Sequence, residues 1–171
     1  LQHTGALLSA REAEDYLVAE GALPSAHPEV AAKGDFAMKV REAVARSYPQ
    51  ASVPDVFLAN SGMNAVYAAF RAVSEAQRAR GRRRWIQLGW LYLDTIAVLQ
   101  KFTPDPAADH LVVADATRLD QVRALFAREG GKIAGVITEV PTNPLLQTVD
   151  LQALHDLCRG AGAALVVDPT V

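Results

Sequence analysis

One cysteine in 171 residues, Cys158, leaves no partner for an internal disulfide and fits a reducing compartment. Long apolar runs are also missing. Hydrophobic residues make up 50% of the chain, yet no stretch approaches the ~20 needed to cross a bilayer, so no membrane partner is expected. Nor is there an excess of charge of one sign: a formal net charge of -2 sets up no field that would draw in nucleic acid or anionic lipid. His3, His27, His110 and His155 lack metal-ligand spacing, which argues against a metal site. Leu1 to Pro24 has no basic start followed by an apolar core, so no secretory signal is read and the cytoplasm is the expected location. The first residue is not Met and the sequence stops abruptly at Val171, which reads as a segment of a longer protein.

What is present is an alternation of short apolar runs and helical periods. Val56 to Ala59, Trp85 to Leu88, Leu111 to Ala114, Ile133 to Thr138 and Ala164 to Val167 read as strands, the last three rich in β-branched residues. Between them, Gly62 to Arg80, Leu93 to Phe102, Leu119 to Glu129 and Leu151 to Ala161 read as helices, with Ser61 and Asp150 placed as N-caps. Strands buried on both faces and alternating with helices predict an α/β fold, a doubly wound and mostly parallel sheet with flanking helices. Residues 1–50 carry helical periods only, Ser9 to Glu20 and Phe36 to Tyr48, joined by a Pro-containing connector from Leu23 to Pro28. They are read as a helical amino-terminal arm, and residues 51–171 as the α/β domain.

Four short segments carry chemistry, each at a strand end, where ligands bind in open parallel sheets. Asn60-Ser61-Gly62-Met63 opens a long helix, and the free N–H groups and partial positive charge of a helix start can hold a phosphate through the Gly62 and Met63 amides. Taken alone, the same turn is an ordinary Ser-capped helix. Leu88-Gly89-Trp90-Leu91-Tyr92 places an aromatic ring where it can stack on a planar group, or else pack into the core. Glu139-Val140-Pro141-Thr142-Asn143-Pro144 is a loop stiffened by two prolines that offers an amide and a hydroxyl. Asp168-Pro169-Thr170 puts an acid after a buried strand, where it can keep a ring nitrogen protonated or simply form a turn.

In this order the four segments resemble the Cys/Met-metabolism family of pyridoxal phosphate enzymes, and Leu88 to Phe102 is similar to the ring-stacking segment of fungal-type cystathionine γ-synthases. The resemblance covers about Phe57 to Val171 and implies part of the large domain of a fold-type-I pyridoxal phosphate enzyme. It implies that Ser61, Gly62 and Met63 hold the cofactor phosphate, Tyr92 stacks on the ring, Asn143 bonds the ring hydroxyl oxygen, Asp168 pairs with the pyridinium nitrogen and Thr170 supports the ring. Tyr92 and Asp168 are the implied catalytic groups. The implied reaction is γ-replacement or elimination on a small amino-acid substrate, an activated homoserine or cysteine-type compound, in a homo-oligomer.

Two departures from the family pattern stand out. No Tyr-x-Arg segment, which reaches the phosphate of a neighbouring subunit in the family, occurs between Lys33 and Ser52. The family's Schiff-base lysine lies beyond Val171, and none of Lys33, Lys39, Lys101 and Lys132 sits in its motif, so this chain is expected to be inactive by itself. The basic run Arg78 to Arg84 reads as a solvated helix end rather than a nucleic-acid contact, and Cys158 as a core residue. The rival reading is a non-catalytic α/β module that binds a phosphate or nucleotide at the Ser61 turn and makes no use of Asp168.

Overall fold

A computed structural model describes residues 9–28 and 33–170. They form two compact units divided between Val56 and Phe57. In the first unit, helix α1 (Ala10–Ala19) starts at a Ser9–Glu12 capping box and α2 (Phe36–Ser47) at Asp35, whose carboxylate accepts from the Met38 N–H. Arg41 on α2 donates to the carbonyls of Val53 (2.8 Å) and Val56 (2.9 Å), which ties the 3-10 turn Val53–Asp55 back to this helix. The two helical periods read from the sequence are both present.

The second unit is the expected α/β fold. It runs α3 (Gly62–Arg78), β1 (Arg84–Leu88), α4 (Leu93–Phe102), a short α5 (Pro106–Asp109), β2 (His110–Val113), α6 (Leu119–Glu129), β3 (Ile133–Glu139), α7 (Leu151–Ala161) and β4 (Ala164–Asp168). All strand pairs are parallel, and the order across the sheet is β2-β1-β3-β4. Val56 to Ala59, read as a strand, is not one. It pairs with none of the four described strands, and Phe57 stands 89% exposed. An apolar run marks a segment able to extend, but only a hydrogen-bonded neighbour makes it a strand.

Parallel strands are joined by crossovers, so each face of this sheet receives helices and each face needs apolar side chains. On one face Ile86, Leu88, Ile133 and Val136 pack with Val122 and Phe126 of α6 and Leu154 and Cys158 of α7. Trp85, Ala134 and Ile137 meet Phe70 of α3 and Val98 and Leu99 of α4 on the other. Strict alternation along β3 fails because its register against β1 shifts between Arg84 and Trp85: Arg84 pairs with Ile133, but Trp85 pairs with Gly135. The extra residue, Ala134, puts Ile133 and Val136 on the same face although they are three apart. Gly135 is the residue beside the Trp85 ring, where a Cβ would come within 2.8 Å of it. Trp85 is thereby free to pack against Phe70 (ring centroids 5.1 Å apart) and to donate its indole N–H to Ser74 (3.0 Å).

Three arginines of the basic run prove to be structural rather than a solvated helix end. Arg82 donates to the Ala161 carbonyl, Arg83 pairs with Asp109 at 3.1 Å, and Arg84 lies between Asp109 and Glu129. Asp109 is completely buried, and these guanidinium groups are its ion-pair partners. Only Arg78 of the run lies within helix α3, and a charge count on the sequence could not show that Arg82, Arg83 and Arg84 brace the sheet and its flanking segments.

Because the Gly135 position has no room for a methyl group, Gly135→Ala should push Trp85 out of its place. Overpacking of this kind costs about 1–3 kcal/mol, to be read as a lower urea midpoint at unchanged slope. An unchanged midpoint would show that the Trp85 contact is not a constraint.

Candidate functional site

The strand order creates the site. From β1 the chain crosses to β2 on one side, then returns to place β3 on the other side of β1. Loops leaving β1 and β3 therefore diverge, and a crevice opens between them at the carboxyl ends of the strands. It has a volume of about 410 Å³ and is lined from α3, from the loops after β1 and β3, and from the end of β4.

Helix α3 contributes its first turn. Ser61, the N-cap, uses its hydroxyl to accept from the Asn64 N–H (3.2 Å), and the Asn64 side chain donates to Asn60 across the turn. Gly62 and Met63, the first two helical residues, have amides with no intrahelical acceptor, and both residues line the crevice. The space around Gly62 is open, since nothing lies within 4 Å of where a Cβ would stand. Ser61 itself does not line the crevice; its side chain is spent on the cap.

Gly89 turns the chain out of β1. Its φ of +84° is costly for any residue with a side chain, and a Cβ there would lie 2.9 Å from the Ala116 Cβ and 3.0 Å from the Thr142 methyl group. Beyond the turn, Leu91 is buried while Trp90 (57% exposed) and Tyr92 (47% exposed) stand in the crevice. Tyr92 is the N-cap of α4 and makes no side-chain cap bond there. Its backbone N–H donates instead to Glu139 at the end of β3.

On the β3 side, Thr142 is completely buried and holds the loop: its N–H donates to the Gln147 carbonyl (2.9 Å), and its hydroxyl accepts from the Gln147 N–H (3.0 Å). Asn143, next along, is exposed and lines the crevice. Asp168 ends β4 as the register partner of Glu139. Its carboxylate accepts from the Thr170 N–H (3.0 Å), and its carbonyl accepts from the Val140 N–H (3.1 Å). Gly62, Met63, Tyr92, Asn143, Asp168 and Thr170 thus meet in one crevice, although four separate segments carry them.

Glu139, only 6% exposed, is the lining residue that sequence reasoning passed over; it was visible there as the first residue of the Pro-stiffened loop and no more. Burial pushes its carboxyl above the usual glutamate range, and the negative charge of Asp168 adds to this, against the opposing pull of backbone N–H groups from Tyr92 and Asn143. Val66, Trp90, Leu91 and Leu93 were not picked out either, and they make much of the wall apolar. Cys158 sits in the core, where burial pushes its thiol up to about 11 and leaves it unreactive. Among the described residues no group of acidic, histidine or cysteine side chains is arranged to hold a metal ion, and no helix is long and apolar enough to cross a membrane.

The profile of the family described as Cys/Met metabolism PLP-dependent enzyme matches residues 50–171. Over 171 residues the chain is 44% identical to the L-2-amino-4-chloropent-4-enoate dechlorinase/desaturase of Streptantibioticus cattleyicolor, covering 100% of this chain and 34% of that protein. It is 29% identical over 155 residues to the cystathionine gamma-synthase of Neurospora crassa, covering 88% of this chain and 24% of that protein. Among solved structures, a β-phenylalanine aminotransferase from Variovorax paradoxus superposes with a TM-score of 0.54 at 23% identity, over 94% of this chain and 37% of its own, a likeness that bears on fold alone. The chain spans about a third or less of the length of these two curated relatives.

The buried Glu139 carboxyl gives a pH signature. Its folded value lies above its unfolded one, so the folded state holds the proton more tightly, and its contribution to stability is complete below the unfolded value and lost as pH rises through the folded value. Glu139→Gln cannot ionise and should lose less stability across that window in denaturant titrations at a series of pH values. Parallel curves for the two proteins would show that Glu139 titrates as an ordinary exposed acid.

Proposed function

The chain belongs to the Cys/Met-metabolism family of pyridoxal-phosphate-dependent enzymes, and from that premise we propose that its crevice holds the cofactor in a protein that replaces or eliminates a group at the γ carbon of an amino acid. The observation that carries this reading is the convergence of a helix start, an aromatic ring, an amide and a carboxylate on one crevice. The donor set fits the group. Gly62 and Met63 supply amides at the positive end of a 17-residue helix, suited to a phosphate. Tyr92 offers a ring face for stacking, and Asn143 an amide for the ring hydroxyl oxygen. Asp168 would pair with the ring nitrogen and keep it protonated; the Thr170 N–H steadies that carboxylate, and Thr170 would support the ring.

When bound, pyridoxal phosphate supplies an electron sink for a carbanion beside the substrate amino group. Asp168 would make that sink effective by holding the proton on the ring nitrogen. Tyr92 would hold the ring from one face, and its hydroxyl would be the group available to help move a proton. The apolar wall of Val66, Leu91 and Leu93 limits water around these groups.

The γ position is favoured because both named relatives point to it: one is named for a substrate with chlorine on carbon 4, the other for gamma-synthase chemistry. Activated homoserine, cysteine-type or 4-halogenated amino acids are the corresponding substrate class. In residues 57–170, Lys101 lies on α4 and Lys132 in the 3-10 turn before β3, and neither lines the crevice. This chain alone is therefore read as a cofactor-binding but inactive piece. The single buried thiol suits the cytoplasm.

Titration with pyridoxal phosphate, followed by quenching of Trp90 emission, should show saturable binding worth about 4 to 6 kcal/mol. Asp168→Ala should weaken it roughly tenfold, about 1.4 kcal/mol, while leaving inorganic phosphate binding unchanged. Borohydride reduction and mass spectrometry should find scattered labelling or none; one stoichiometric pyridoxyl-lysine would overturn the assignment of the lysines. Equal affinity for ADP and pyridoxal phosphate, untouched by Asp168→Ala, would favour a general nucleotide module.

We also propose self-association, supported by the exposed apolar side chains Phe57, Leu58, Leu145 and Leu146. Light scattering should report a dimer or larger species, and a clean monomer at working concentration would refute this.

A further inference from the structure

Glu139 ends a strand whose every residue is buried, and it forms no ion pair with any described residue. A carboxyl there is costly to desolvate, yet it has a backbone partner in another loop. Its Oε1 accepts the backbone N–H of Tyr92, in the loop after β1, and Asn143, in the loop that Glu139 leads into, lines the same crevice. Glu139 is also the register partner of Asp168 across the β3–β4 pair. One side chain therefore stands beside three of the groups assigned to the cofactor, and it meets Tyr92 through backbone rather than side chain. The Tyr92 and Asn143 side chains remain free to face the crevice.

We propose that Glu139 is the positioning residue of this site: its carboxylate ties the loop after β1 to the loop after β3 and so sets the slot between the Tyr92 ring and the Asn143–Asp168 edge. The inference rests on the cofactor reading given above and deepens it. The Tyr92 side chain makes no cap bond at the start of α4, so beside the buried Leu91 it is the bond to Glu139 that engages the Tyr92 N–H. Gln at position 139 keeps an oxygen that accepts the Tyr92 N–H; Ala keeps none.

The test compares wild type, Glu139→Gln and Glu139→Ala in the full chain with three readouts: amide hydrogen exchange without ligand, pyridoxal phosphate affinity from Trp90 quenching, and visible circular dichroism of the bound cofactor. Glu139→Ala should speed exchange at Tyr92 and Asn143 while sparing α3. It should also weaken pyridoxal phosphate roughly tenfold, flatten the visible dichroism and leave inorganic phosphate binding unchanged. Glu139→Gln should restore the exchange protection and most of the affinity. Unchanged exchange and affinity in Glu139→Ala would overturn the inference. So would an equal loss of exchange protection in α3 and of phosphate binding, because Glu139 would then serve the fold as a whole. If wild type shows no saturable pyridoxal phosphate binding, the cofactor reading fails, and the exchange pattern alone still decides whether Glu139 joins the two loops.

Discussion

Residues 57–170 depend on one constraint: a parallel sheet has no bare face. Each pair of parallel strands needs a crossover, each crossover carries a helix, and helices on both sides demand apolar residues from every strand. The two core clusters, one under α6 and α7 and the other under α3 and α4, are the direct result. The same constraint collects the loops that follow the strands at one edge of the sheet. With β1 central and β2 and β3 on its two sides, these loops part over β1, and the crevice is where they part. The position of the site is therefore a property of strand order before it is a property of any side chain.

What the sequence makes legible follows from range. Helices Leu93–Phe102, Leu119–Glu129 and Leu151–Ala161 could be read to the residue because their signals are local, an apolar stripe and, for the last, an N-cap acid at Asp150 whose carboxylate accepts from Ala153. The β1, β2, β3 and β4 segments were found to within a residue, since short β-branched or aromatic runs between helices admit few other readings in such an order. The segment from Val56 to Ala59 looks the same locally and fails, because pairing is decided by what lies alongside. Arg83 and Arg84 fail for the same reason. Their partner Asp109 is distant in sequence and is brought to them only by the pairing of β1 with β2.

The candidate site divides along the same line. Residues whose side chains or amides face the crevice belong to recognisable short segments, and these could be placed by resemblance: Gly62, Met63, Tyr92, Asn143, Asp168 and Thr170. Ser61 belongs to such a segment too, but its hydroxyl is used within the turn, which a motif does not reveal. Glu139 works through backbone N–H groups of other loops, and no pattern of residue types encodes such a contact. Side-chain chemistry is written in composition and spacing. Scaffolding by way of the backbone is written only in the fold.

The crowding around Gly89 has a further consequence. Ala116 belongs to the loop after β2, which contributes nothing to the lining, yet its methyl group would stand 2.9 Å from a Cβ at Gly89, with the Thr142 methyl group as the third body in the contact. The Ala116 N–H, in turn, donates to the Gln147 side chain (3.4 Å), whose backbone braces Thr142. Three loops are thus wedged together behind the crevice, with two small residues as the spacer. A larger side chain at Ala116, a residue outside the lining, would therefore press on the turn at Gly89 from behind.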